Sequence, residues 1–376
     1  MKYPIFKVHV DTKSALKELK TVLNSGFLNE GETVIKLTEF FKTYFNHENV
    51  VPLNSCTSAL TLALKLSGVS PGDEVISTSM TCVASNTPIH NLGAKIVWAD
   101  IDSNSGNINP NNIEKLINPK TKAVLCVNWS GIPCELSQLK NICEKHNIKL
   151  IQDAAHSLGA EYNGKQIHHS AHYTCYSLQA IKHITSGDGG MLVVNTNNDD
   201  FNKAKTLKWF GIDREATKDE KGEWKGQRWE VDIKEAGYKF HMNNISAAIG
   251  LSQIPHINNI IKTHIKNGLL YEKIFSKNTN IKPLNYPKNS TPSFWVYTAM
   301  LSEHLDRDKI IEELNAEGIN AGLVHVPNHP YTCFKESLTN LPETMYFSKH
   351  QISLPCGWWL SENDIKLIAK SLLSKI

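Results

Sequence analysis

The feature that most constrains this chain is an alternation. Short apolar runs at residues 74–77, 94–99, 123–127 and 149–152 are separated by segments with helical spacing, such as 137–146. Strands joined through helices run parallel, and a run that is apolar on both faces must be covered on both faces. The sequence therefore predicts an α/β fold with a mostly parallel mixed sheet between helices. Upstream, residues 32–45 place Val34, Leu37, Phe40, Phe41 and Phe45 at helical intervals, and residues 14–23 also read as a helix. Residues 49–53 read as a strand that stops at Asn54-Ser55, and 57–66 as the helix that follows.

Beyond residue 172 the rhythm changes. Two short strands, 173–177 and 191–194, flank a stretch without helical periodicity. Residues 215–231 are charged, carry Trp224 and Trp229, and read as an exposed insertion. A long helix over 256–275 leads to a strand at 294–301, a helix at 307–317 and a strand near 321–326. Asp306 caps the second of these helices and Gly318 ends it. The expected organisation is a large domain over residues 1–250 and a small C-terminal α/β domain over 251–376.

Composition narrows the partners. The formal net charge is +3, from 40 basic and 37 acidic residues, which gives no basic excess for nucleic acid. No run reaches the roughly 20 apolar residues of a membrane span. The start, Met1 to Phe6, lacks the apolar core of a signal peptide, so a cytoplasmic protein is expected. The eight cysteines form no C-x-x-C pair, so buried reduced thiols are expected rather than zinc ligands or disulfides. Arginine occurs only at 214, 228 and 307.

Four segments carry candidate chemistry. The first, Asn54-Ser55-Cys56-Thr57-Ser58, lies where a strand gives way to a helix. Free N–H groups and the helix dipole there suit a phosphate, although an ordinary N-cap has the same appearance. The second is Gln152-Asp153-Ala154-Ala155-His156, at the end of a buried strand, where open α/β sheets place their sites. A carboxylate there can pair with a protonated ring nitrogen; the plainer reading is a loop cap with a packed histidine.

The third runs from Ser177 to Gly190 between two strands and holds Lys182 over the sheet. A lysine in such a place can be desolvated and made nucleophilic, whereas an isolated lysine is usually a solvated surface residue. The glycines at 187, 189 and 190 precede a strand, so they are no dinucleotide fingerprint, and a nicotinamide enzyme is not indicated. The fourth, Gly237-Tyr238-Lys239-Phe240-His241-Met242-Asn243-Asn244, is polar and aromatic ahead of an apolar helix.

Together these segments resemble the fold-type I enzymes of pyridoxal phosphate (PLP), and specifically the sugar aminotransferases typified by the DegT and StrS proteins. The resemblance runs from Ser25-Gly26-Phe27-Leu28-Asn29-Glu30-Gly31 to Ile352-Ser353-Leu354-Pro355. It implies that Lys182 holds PLP covalently and acts as general acid and base. It further implies that Asp153 meets the pyridine nitrogen, that His156 stands where the family usually has glutamine, and that Thr57, Ser58 and Ser177 hold the phosphate.

The family's Gly-Tyr-Asn-Tyr-Arg motif matches 237–241, with Lys239 for the asparagine that reaches the neighbouring subunit's phosphate and His241 for the arginine. Homodimers with shared active sites are therefore implied. Cys82 stands where an aromatic residue normally stacks on the PLP ring, and Cys56 replaces a glycine. The implied reaction moves an amino group from L-glutamate to a keto-sugar nucleotide. Arg214 is the first candidate to clamp the donor, and His183, His325 and His329 are candidates on the substrate side. A keto-sugar dehydratase on the same scaffold would carry histidine in place of Lys182. A non-catalytic PLP-binding sensor would not need the Lys182 and Asp153 pair.

Overall fold

The computed structural model describes residues 1–214 and 232–376, so the expected insertion at 215–231 lies outside the described residues. Seven strands form the main sheet: β1 (Val50–Leu53), β2 (Glu74–Thr78), β3 (Lys95–Ala99), β4 (Thr121–Val127), β5 (Lys149–Asp153), β6 (Tyr173–Ser177) and β7 (Gly190–Val194). Their spatial order is β1-β7-β6-β5-β4-β2-β3. Strand β7 runs antiparallel to both neighbours, and the other pairings are parallel. The exception follows from the connection: no helix crosses over between β6 and β7, so the chain returns beside the strand it has left.

Neighbouring residues on each strand serve opposite faces, as the pleat requires. Val124, Leu150 and Met191 enter one core with Leu37, Phe41 and Phe45 of α2 (Glu32–Phe45), while Leu125, Ile151 and Leu192 enter the other with Leu60 and Ala63 of α3 (Cys56–Leu66). At roughly 25 cal/mol per Å² of apolar surface removed from water, this two-sided burial is the main force holding the layers. Further helices are α4 (Val83–Asn91), α5 (Leu136–Lys145), α6 (Asn198–Leu207), α7 (Asn244–Gln253) and α8 (Ile257–Phe275).

Helix α8 links two cores. Ile257, Ile260 and Ile261 pack with the main sheet, while Tyr271 and Phe275 pack with a second, smaller cluster that includes Tyr297, Ile352, Ile365 and Ile368. That cluster lies on an antiparallel sheet of Ile281–Pro283, Tyr297–Leu301 and Gln351–Leu354. The N-terminus returns to it: Tyr3 bridges Ile319 and is buried there. Asp306 caps the helix Arg307–Ala316 by accepting from the Lys309 N–H at 3.1 Å, and Gly318 follows that helix at φ +81.

Two expected strands differ. The 294–301 strand begins only at Tyr297, because Phe294 takes φ 46 and the Trp295 N–H goes to the Ser130 carbonyl at 2.9 Å. The strand expected at 321–326 reduces to one bridge between Gly322 and Ser353. The chain leaves the sheet there to lay Pro327 against Met80 and Asn328 against α4.

Candidate active site

The C-terminal ends of the parallel strands open on one side of the sheet, where open α/β sheets bind ligands. Leu53 pairs across to Gly190, Gly190 to Ser177, and Asp153 to Cys175, so the segments leaving β1, β5 and β6 converge. Helix α3 starts directly after β1. Its N-cap hydroxyl, on Ser55, accepts from the Ser58 N–H at 3.1 Å. Among the described residues the N–H groups of Cys56 and Thr57 have no acceptor, so with the helix dipole they form an anion-ready end. Only glycine fits at 190, since a Cβ there would lie 2.5 Å from the Cys56 nitrogen. The Cys56 thiol reaches the Cys175 carbonyl at 3.5 Å, and the same carbonyl accepts from the Ala154 N–H at 2.8 Å, which ties the helix start to Asp153.

The expected phosphate residues are placed unequally. Thr57 is half-buried at the start of α3. The Ser58 hydroxyl donates to Asn54 Oδ1 at 2.6 Å, so its proton is already committed. The Ser177 hydroxyl accepts from the Gln179 N–H at 3.2 Å and keeps its own proton for a ligand. Lys239 is exposed; its carbonyl accepts from Asn54 Nδ2 at 3.3 Å, which sets its loop beside the α3 turn.

Asp153 is buried. Its Oδ2 accepts from the Ser85 hydroxyl at 2.7 Å and its Oδ1 from the Ala155 N–H at 3.0 Å. Burial pushes its pKa up, while those two donors and the nearby Lys182 charge pull it back. Thr81 stands behind Ser85 at 2.8 Å. Ser85 belongs to α4, whose sequence lacks an amphipathic repeat; its buried Ser85, Asn86 and Pro88 give no apolar stripe to read.

Lys182 lies on the turn after β6. Burial lowers its pKa to about 8, with Asp153, Cys82 and Cys56 pulling the other way. Its Nζ sits 3.5 Å from the centre of the Trp295 ring. Trp295 in turn stacks on His156 at 4.0 Å and on Phe6 at 4.7 Å, and donates from Nε1 to the Ile181 carbonyl at 2.8 Å. Sequence reasoning missed Trp295 and Ser85; the only signal for the former was a tryptophan heading a strand. Cys82, the N-cap of α4, is half-buried and near enough to bear on the Lys182 charge.

The histidines divide. His156 is buried, and its Nδ1 has no partner among the described residues; burial and the Lys182 charge hold its pKa well below the ordinary value. His325 lies parallel to it at 5.4 Å, with a buried Nε2 also lacking a partner and a pKa lowered to about 3 by burial. His329 is turned to Ser79, with 2.8 Å between Nδ1 and the hydroxyl, and Asn328 bonds Asn86 at 2.9 Å, so the loop is pinned to α4. His183 faces away from the lysine pocket: its Nε2 meets the Ser293 carbonyl at 3.1 Å and its ring lies 4.8 Å from His264.

Arg214 is placed elsewhere. It lies 3.6 Å from Glu30 and 5.2 Å from the Trp209 ring, in a group where Lys208 pairs with Glu30 and His241 with Asn29. Arg214, Lys208 and Glu30 of this group line a cavity of about 550 Å³ whose wall also includes Phe27, Lys205 and Asp213.

The first pocket fits PLP. A buried carboxylate, a lysine of lowered basicity, an anion-ready helix start and an unpartnered buried imidazole are the groups that a phosphorylated pyridine aldehyde needs. Known proteins agree. The chain is 28% identical over 366 residues to the spore coat polysaccharide biosynthesis protein SpsC of Bacillus subtilis, covering 94% of this chain and 92% of that one. Its fold matches the sugar aminotransferase CalS13 of Micromonospora echinospora over the whole of both chains, with a TM-score of 0.92 at 28% identity. It matches Spr1654 of Streptococcus pneumoniae in the PLP form with a TM-score of 0.89 at 26% identity, over 100% and 98% of the two chains. Residues 10–373 match the family profile, and the chain belongs to the DegT/DnrJ/EryC1/StrS aminotransferase family, whose cofactor is PLP.

Proposed function

We propose that this sugar aminotransferase moves an amino group from L-glutamate to a keto-sugar nucleotide in aminosugar or cell-surface glycan synthesis. The observation that carries the reading is the convergence of Lys182, Asp153 and the start of α3 on one pocket. The bound cofactor would supply an electron sink for the carbanion formed when the donor loses its α-proton.

The chain supplies the rest. Lys182 would take up that proton on Nζ and give it back, and a basicity lowered toward neutrality suits both directions. Asp153, steadied by Ser85 and the Ala155 N–H, holds the ring nitrogen in its protonated form. The Cys56 and Thr57 N–H groups, Thr57 and Ser177 hold the phosphate, with Ser58 shaping the turn from behind. His156 stays neutral, and its unpartnered Nδ1 would be available to a polar group of the cofactor. Cys82 occupies the start of α4 beside the ring position.

His325 and His329 lie on the loop proposed to meet the sugar, with His329 as its fastening to Ser79 and His183 as a fixed support beneath the lysine turn. The protein works as a homodimer in which Lys239 and Arg214 serve a second copy's pocket. Support comes from apolar side chains left exposed around Asn244: Phe27, Leu28, Ile35 and Ile245. The test is optical. Protein loaded with PLP should be yellow, L-glutamate should bleach it, and a keto-sugar nucleotide should restore the colour. Colour that no amino donor alters would contradict the reading.

A further inference from the structure

The indole of Trp295 belongs to no step described so far, yet it is the most heavily fixed side chain beside Lys182. It reaches the pocket from the small domain. Its backbone N–H holds the Ser130 carbonyl at 2.9 Å, its Nε1–H holds the Ile181 carbonyl at 2.8 Å, and its ring is stacked on His156 and Phe6. Its residue is 2% exposed. Among the described residues Lys182 Nζ has no hydrogen-bond acceptor, and it lies over this ring at 3.5 Å from the centroid.

We propose that Trp295 is a positioning residue for Lys182: its ring face receives the lysine ammonium whenever that amine is not bonded to the cofactor, and its Nε1–H fixes the turn that carries the lysine. The inference rests on Lys182 being the cofactor lysine. The physics favours an aromatic face over a carboxylate here. An ammonium on a ring face is attracted by the ring's quadrupole without an opposite full charge. A carboxylate at that distance would hold the proton too firmly for an amine that must give it up. The ring therefore offsets part of the cost of burying the charge and leaves the amine able to lose its proton. Because Trp295 comes from outside the main sheet, the arrangement also requires the segment that carries it to be seated before Lys182 is held.

The test uses cofactor-free protein, so it reads the lysine and not turnover. Limiting acetic anhydride labels only the free amine, and peptide mapping across a pH series gives the titration midpoint of Lys182. The wild-type midpoint is expected near 8. In Trp295→Leu the burial remains and the ring is lost, so the midpoint should fall by about one pH unit. In Trp295→Phe a weaker face remains, and the fall should be less than half as large. Phe6→Leu, which loosens the stack without touching Lys182, should leave the midpoint in place. Circular dichroism checks that each variant is folded, and the phenylalanine variant decides alone if the leucine variant is not. An unchanged or raised midpoint in the folded tryptophan variants would overturn the proposal. The outcome is independent of the bleaching experiment, since either can fail while the other succeeds.

Discussion

Lys182 and Lys208 are both buried enough to lose basicity, and the protein treats them in opposite ways. Lys208 is bonded to the Glu30 carboxylate, with Arg214 on the other carboxylate oxygen, and that pairing offsets part of the burial that lowers its pKa. Lys182 has no such bond; it lies against an indole, with Asp153 acting from farther off. A carboxylate in contact makes a lysine a fixed charge that holds elements together. An aromatic face leaves it a group that exchanges protons. The Lys208 pair thus ties the loop before α2 to the end of α6, whereas Lys182 is held against a ring face.

Removing the lysine of the reactive site should have the largest effect. Lys182→Ala should lower turnover by at least about 10³-fold, since it deletes the proton carrier, with the unfolding midpoint little changed. Steady-state kinetics and thermal melts on the same samples separate the two. The paired site should show its effect in stability. Glu30→Leu strands the Lys208 charge, and because the Glu30 side chain keeps 16% exposure the loss should be about 2 kcal/mol of stability. Denaturant unfolding measures it; a loss of activity with unchanged stability would break the contrast.

A smaller effect is expected one bond away from the chemistry. Ser85→Ala removes one donor to Asp153 and should reduce kcat by about tenfold, with KM for the donor nearly constant. The smallest effect at neutral pH comes from the histidines. Burial lowers His168 and His325 to about 3, and His172 and His264 to about 4, from the ordinary imidazole value of 6.5. Their folded pKa values lie below the unfolded ones, so the unfolded chain binds more protons in between. The histidines' contribution to stability should be flat above pH 6.5 and fall as the pH drops from there toward 3. Melting curves at several pH values check this, and a protein equally stable at pH 4 and 7 would contradict the burial of these rings.

Much of this was legible in the sequence. Helix α2 spans the residues its apolar spacing marks, and β1, β4, β5 and β6 end within a residue of the runs that predict them. These signals are local: periodicity records which face is buried. Asp153 and Lys182 were singled out by their places, at a strand end and in the connection after β6, taken together with the resemblance of the surrounding segments. Ser85 and Trp295 were not. Ser85 matters through a partner 68 residues away in the chain, and Trp295 through one 114 away. Neither distance leaves a periodic trace. The 321–326 segment misled for another reason: Ala321 packs in the small core and Gly322 bridges Ser353, but Val326 is exposed where the chain turns toward α4 through Asn328.

The central claim is that Lys182 is the residue bonded to PLP. Reducing the PLP-loaded protein with borohydride fixes that bond, and mapping the peptides by mass spectrometry locates it. The account predicts the label on Lys182 and its disappearance when L-glutamate is added before reduction. A label on a different lysine, or none on protein that is visibly yellow, would contradict it.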